Sequence, residues 1–274
     1  MSEDSIDFKL VKAAGCYVER KKTGNATDLL PDNEIASLME QLLKISCKHN
    51  FTTEDGVNRI NAFEVRTELL DEDTKHLITP DFILETVRRA ESTALFMRSS
   101  AASKCMEKMA HLNLGAMEKA ITRTNKRAVT YALKAKVDKR LRLRDDPFTV
   151  QDYLIRFYFA AAQKEILAKK DALSTTEMDK DAYASFCSSV NRRSTLMKEI
   201  STNTALAAVK GNTTDAFKHA AQSLFYLTKT GNSFIPDSLP DKLKAIWKSD
   251  DTPPVQCERA VHLYRKLTEP DYSP

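Results

Sequence analysis

Glycine occurs six times in 274 residues, about a third of its ordinary usage. Tight turns, β-bulges and loops that hug a ligand all draw on glycine, because it alone adopts positive φ without steric cost. A chain this poor in glycine is expected to be all-α, its helices joined by short polar turns. Hydrophobic residues make up 42% and charged residues 29%, a globular balance rather than a disordered one. The length suits one large domain or two small ones with a sizeable core.

Apolar spacing supports the helical reading. Ile35, Leu38, Met39, Leu42 and Ile45 recur at helical intervals behind Asp32, a candidate cap. Thr52 and Thr53 precede a shorter helix with Val57 and Ile60. Thr79-Pro80 is a strong start signal, since threonine caps and proline suits the first helical position. It leads into Ile83, Val87, Ala90, Ala94 and Met97, and a further helix carries Met106, Met109 and Leu112. In the second half, Pro147 opens a helix whose buried face is expected at Val150, Leu154, Phe157 and Ala161. Ser174-Thr175-Thr176-Glu177 has the pattern of a capping box before a helix with Tyr183, Phe186 and Val190. Leu196, Ile200 and Ala207 mark another, stopped near Gly211. A helix with Phe217, Ala221 and Leu224 and two short ones carrying Leu243, Trp247, Val261 and Tyr264 complete the series.

Residues 1–30 differ. Phe8, Leu10, Cys16 and Val18 alternate with polar positions around Ala13-Ala14-Gly15, the pattern of a small hairpin or of an extended arm that orders on a partner. Lys21 to Asn25 reads as a turn or linker. The expected organisation is this arm (1–30), an N-terminal helical lobe (31–144), a C-terminal lobe (145–268) and a tail (269–274). The lobes divide at Arg144-Asp145-Asp146-Pro147.

Charge is concentrated. Between Lys119 and Arg144 stand ten basic residues and one acid, Asp138, a balance of +9 in a chain of net +4, so the remainder is −5. Phosphate backbones recruit such segments, because neutralising phosphates releases condensed counterions regardless of base sequence. The candidate contacts are Lys119, Arg123, Lys126, Arg127, Lys134, Arg140, Arg142 and Arg144, with Arg192 and Arg193 as helpers. Tyr131 inside the run and Tyr158 after it are candidates for stacking on bases. A basic run is also commonly a solvated helix face, or a surface for an acidic protein or anionic lipid.

Recognisable catalytic chemistry is missing from the sequence. The glycines are too far apart for a dinucleotide fingerprint or a P-loop, and HExxH and GxSxG do not occur. The five cysteines are widely spaced without a CxxC, which disfavours a disulfide framework or a common zinc site. The five histidines are isolated, and Asp71-Glu72-Asp73 has no calcium-loop pattern around it. No cofactor or metal is expected, and a non-enzymatic role is. An enzyme without a familiar motif would call for a deep pocket of carboxylates or histidines away from 119–144. The polar acidic start is unlike a signal peptide, and no run approaches the roughly 18 apolar residues that span a membrane. The expectation is an intracellular, cytoplasmic protein.

Two segments resemble known families. Phe217-Lys218-His219-Ala220-Ala221-Gln222-Ser223-Leu224-Phe225 resembles the Ala-Ala-aromatic segment of flexuous filamentous plant-virus coat proteins, with Ser223 where that family has aspartate. Ala260-Val261-His262-Leu263-Tyr264-Arg265-Lys266-Leu267 is similar to a helix of the influenza matrix protein. The resemblance implies an all-helical viral nucleocapsid or coat protein, found in the virion. Such a protein packages single-stranded RNA (or DNA) and joins neighbouring copies through its N- and C-terminal arms. The alternative it leaves is a helical matrix or adaptor protein, whose basic segment meets an acidic partner or touches a membrane peripherally.

Overall fold

The computed structural model describes residues 6–24, 29–47, 62–92, 100–134, 147–175, 180–211, 217–218, 221, 224 and 235–269. Every regular element among them is a helix, so the chain is all-α. The helices are α1 (Ile6–Lys22), α2 (Asp32–Ser46), α3 (62–68), α4 (Pro80–Ser92), α5 (Ser100–Leu112), α6 (Leu114–Lys134), α7 (Pro147–Thr175), α8 (Lys180–Lys210), α9 (Ser238–Trp247) and α10 (Pro254–Thr268). A 3-10 turn, Lys75–Leu77, precedes α4. The chain divides into two compact units, Met1–Ala120 and Ile121–Pro274. The division therefore falls within α6, upstream of the expected junction, and that junction lies largely outside the described residues. The expected helix behind Thr52 and Thr53 lies outside them as well.

In the first unit, residues 6–22 form α1 instead of a hairpin or a free arm. Val11, Ala14, Tyr17 and Val18 are buried, a spacing of three and four. Alanine is the strongest helix former, so Ala13-Ala14 extends the helix that the following glycine suggested was a turn. Gly15 lies mid-helix, and a Cβ built there would meet Val65 Cγ2 at 3.7 Å, ordinary contact. Of the turn or linker expected at Lys21 to Asn25, Lys21 and Lys22 belong to α1, Thr23 and Gly24 form a turn with Gly24 at φ +71°, and Asn25 lies outside the described residues. On α2, Ile35, Met39 and Leu42 are buried as expected, but Asp32 is the first helical residue rather than the cap. The cap position is Pro31, and the Asp32 carboxylate pairs with His76 Nε2 at 2.6 Å. Thr79 does cap α4: its Oγ1 accepts from the Phe82 amide at 3.2 Å. Met106 and Met109 of α5 are fully buried.

The core of the first unit also holds a charge. Arg66 is completely buried. It donates to the Met39 carbonyl (3.1 Å), the Thr86 hydroxyl (2.8 Å) and Cys105 Sγ (3.2 Å), and so ties α3 to α2, α4 and α5. The Phe82 ring lies 4.4 Å from the guanidinium carbon.

In the second unit, α7 buries Val150, Gln151, Leu154, Ile155, Tyr158, Ala161 and Ala162. This stripe is rotated from the expected one, with Tyr158 at its centre and Phe157 half-buried at its edge. The two helices expected between the capping box and Gly211 are one, α8. Ser174 and Thr175 belong to the end of α7 rather than to a cap. The hydroxyl-rich stretch inside α8 does not break it, because Thr195, Ser201 and Thr202 each donate back to the carbonyl four residues earlier. The expected stop at Gly211 is where α8 ends, and Arg259 of α10 donates to the Gly211 carbonyl. Helices α9 and α10 pack as a pair, with Trp247 edge-on to Tyr264 at 4.9 Å.

Candidate nucleic-acid interface

Helix α6 carries the described part of the basic segment. Asn113 starts it: its Oδ1 accepts from the Ala116 amide at 3.0 Å, and its Nδ2 donates to the Ile78 carbonyl at 3.1 Å. Ala116, Met117, Ala120, Ile121, Thr124, Asn125 and Ala128 are buried, repeating at one, four and five residues. Lys119 is exposed on the part of α6 within the first unit. In the second unit Arg123, Lys126 and Arg127 are all exposed. Spacings of three and four place these three cations on neighbouring turns of one face. In the second unit that face is opposite the buried stripe of Ile121, Thr124, Asn125 and Ala128.

The buried side of α6 in this unit is polar at its centre. Asn125 Nδ2 donates to Gln151 Oε1 of α7 (3.2 Å) and to Thr204 Oγ1 of α8 (3.1 Å). Gln151 Nε2 donates to the same hydroxyl at 3.0 Å. All three residues are buried.

Two candidate contacts belong elsewhere. Tyr158, expected to stack on a base, is 1% exposed and forms part of the core. Arg193, expected to help hold phosphate, is buried, and its Nη2 donates to Glu165 Oε2 at 2.7 Å, an ion pair between α8 and α7. Its neighbour Arg192 is exposed on α8. Tyr131 and Lys134 lie on the last turns of α6, while Arg140, Arg142 and Arg144 lie outside the described residues.

A cleft of about 190 Å³ in the first unit is lined by Tyr17, Lys21, Lys22, Glu68, Asp71 and Thr74, among others. It is smaller than the roughly 300–1,000 Å³ usual for small-molecule sites. Its carboxylates are already answered. Lys21 Nζ lies 2.5 Å from Asp71 and 3.1 Å from Asp73, and Lys22 pairs with Glu68. Burial works against the Lys21 ammonium, yet hydrogen bonds to Asp71 and Asp73 outweigh it and raise its pKa. Burial likewise works against the Asp71 carboxylate, but the bonds from Lys21 and Thr74 hold it below the usual carboxylate range. The acidic loop thus takes a lysine as its cation. Among the described residues no group of three or more His, Cys, Asp or Glu is placed to hold a metal ion. No described helix is long and apolar enough to cross a membrane.

The chain matches no family model, and it is significantly similar to no curated protein and no solved structure. Its class is that of an all-α protein with a segregated basic helix face.

Proposed function

We propose that the protein binds single-stranded nucleic acid, RNA in the first instance, and assembles along it as a non-enzymatic nucleocapsid or coat protein. The observation that carries this reading is the exposure of Arg123, Lys126 and Arg127 together on the face of α6 opposite its buried stripe. Three such cations offer a sequence-independent attraction for a phosphate backbone. Two groups able to read bases, the Tyr158 ring and the Asn125 amide, are committed to the interior, and Tyr131 stays a candidate for stacking by its place in the basic run. Binding led by these cations is phosphate-led and depends little on base sequence. By charge alone, Lys119, Lys134 and the arginines at 140, 142 and 144 are further candidates for phosphate contact, with Arg192 as a helper. Self-association does not draw on residues 6–22 as a free arm, because α1 is part of the first unit's core.

Purification without nuclease tests this reading. The expected product is a large particle on light scattering, with an ultraviolet absorbance ratio typical of nucleoprotein and a size that collapses on nuclease treatment. A clean monomer that floats with anionic vesicles and ignores RNA would replace it with the matrix-type reading.

A further inference from the structure

We infer that Asn125 is a positioning residue: its bonds to Gln151 and Thr204 fix the rotation of α6 about its own axis, and so decide which side chains of that helix face solvent. The inference rests on the nucleic-acid reading for its functional meaning, but not for its geometry.

Apolar packing specifies rotation less sharply than directional bonds do. Among the described side chains of α6 in the second unit, the fully buried apolar ones are Ile121 and Ala128, and an alanine fits nearly as well after a small turn of the helix. A dispersion contact is shallow and non-directional, whereas a hydrogen bond fails steeply with angle. Asn125 is 4% exposed, Gln151 and Thr204 are 0% exposed, and three hydrogen bonds of 3.0–3.2 Å join them. Turning α6 by one residue position, about 100°, would withdraw the Asn125 amide from both partners. Buried amides without partners are costly. One buried asparagine can set the register of packed helices in just this way, giving up stability for uniqueness.

The residues beside Asn125 show what is at stake. Lys126 and Arg127 follow it directly and Arg123 lies two before it, so all three are exposed because Asn125 is not. If the rotation is unspecified, the same sequence presents a mixture of faces, and the three cations no longer address one strand together. The lock thereby converts a basic composition into a basic surface.

The test uses the whole chain and two variants. One is Asn125→Ala. The other replaces the cluster with apolar residues, Asn125→Ala with Gln151→Leu and Thr204→Val, to keep the core filled if the single variant unfolds. Lysine acylation and arginine modification, mapped by mass spectrometry without nucleic acid, report the exposure of Lys126, Arg123 and Arg127. Salt titration of oligouridylate binding reports the number of phosphates engaged. The expected result is a folded, helical apolar variant with at least a threefold drop in modification at one or more of the three cations. Its salt slope should be shallower than that of the parent. An unchanged modification pattern in a folded variant overturns the lock, whatever the RNA result. If the parent protein itself ignores oligouridylate, the nucleic-acid reading fails, and the modification pattern still decides the geometry.

Discussion

Nη1 of Arg66 lies 3.2 Å from Sγ of Cys105 inside the first unit's core, where the guanidinium's partners among the described residues are neutral groups and an aromatic face. Burial pushes the Arg66 pKa below its ordinary value, and the nearby Cys105 offsets part of that effect. An arginine kept here costs desolvation, and its return is a bond to each of α2, α4 and α5. Replacing it with a similar apolar side chain is expected to be close to neutral, because the Thr86 hydroxyl also donates to the Phe82 carbonyl and stays satisfied. Arg66→Ala removes that volume as well and should cost about 2–5 kcal/mol. Urea midpoints of the two variants check the contrast. Equal losses would mean that the charge itself, rather than the packing, holds the three helices.

Gly15 offers the opposite change. Its φ is not in the positive region, and a Cβ there would find ordinary contact with Val65 at 3.7 Å. Gly15→Ala should stabilise the first unit by about 0.5–1 kcal/mol, through lower unfolded-state entropy and better helix propensity. A thermal midpoint that falls instead would mean that α1 and α3 pack too closely to take a methyl group.

Tyr158 separates core from contact. Because it is buried, Tyr158→Ala should destabilise the second unit by about 3–5 kcal/mol. Tyr158→Phe should leave RNA affinity unchanged. A loss of affinity in the phenylalanine variant at unchanged helicity would return this ring to the binding surface.

The ion cluster of α1 sets an acid sensitivity. Asp71 is lowered in the folded state, so its contribution is fully present above the unfolded value near 3.8. It is lost as pH falls from there through the folded value. Asp71→Asn should therefore lower stability at neutral pH and flatten the pH dependence of unfolding below about pH 4. Parallel pH profiles of the variant and the parent would remove Asp71 from the account.

Much of this fold was legible in advance where one residue type has one dominant use. Thr79-Pro80 starts α4, Met106 and Met109 are core, and Gly211 follows the last residue of α8. Local signals misled where an ambiguous residue had two uses. Gly15 was compatible with a turn until the apolar spacing at Val11, Ala14 and Val18 was completed by contacts of α1 with its unit. Two helices were expected between the capping box and Gly211, yet Thr195, at their expected junction, bonds back to Asn191 within the single helix α8. The basic segment was legible as a composition, whereas the shared exposure of Arg123, Lys126 and Arg127 on one face of α6 comes from the structure. What was hidden was the buried polar chemistry. Nothing local singles out Arg66 or Asn125 in the sequence, because their partners stand 20–39 and 26–79 residues away. The flanking of Asn125 at four and three residues by Ile121 and Ala128 becomes a signal only once the structure shows both to be buried.

The most direct measurement of the central claim is the salt dependence of oligouridylate binding by the parent chain and by Arg123→Glu/Lys126→Glu/Arg127→Glu, with helicity followed by circular dichroism. The account predicts affinity that falls steeply with salt in the parent. In the variant it predicts unchanged helicity and a slope of log affinity against log salt shallower by about 2, since each single-strand phosphate contact contributes about 0.7. Equal affinity and an equal slope in the two proteins would contradict it, and would place any nucleic-acid contact away from this face of α6.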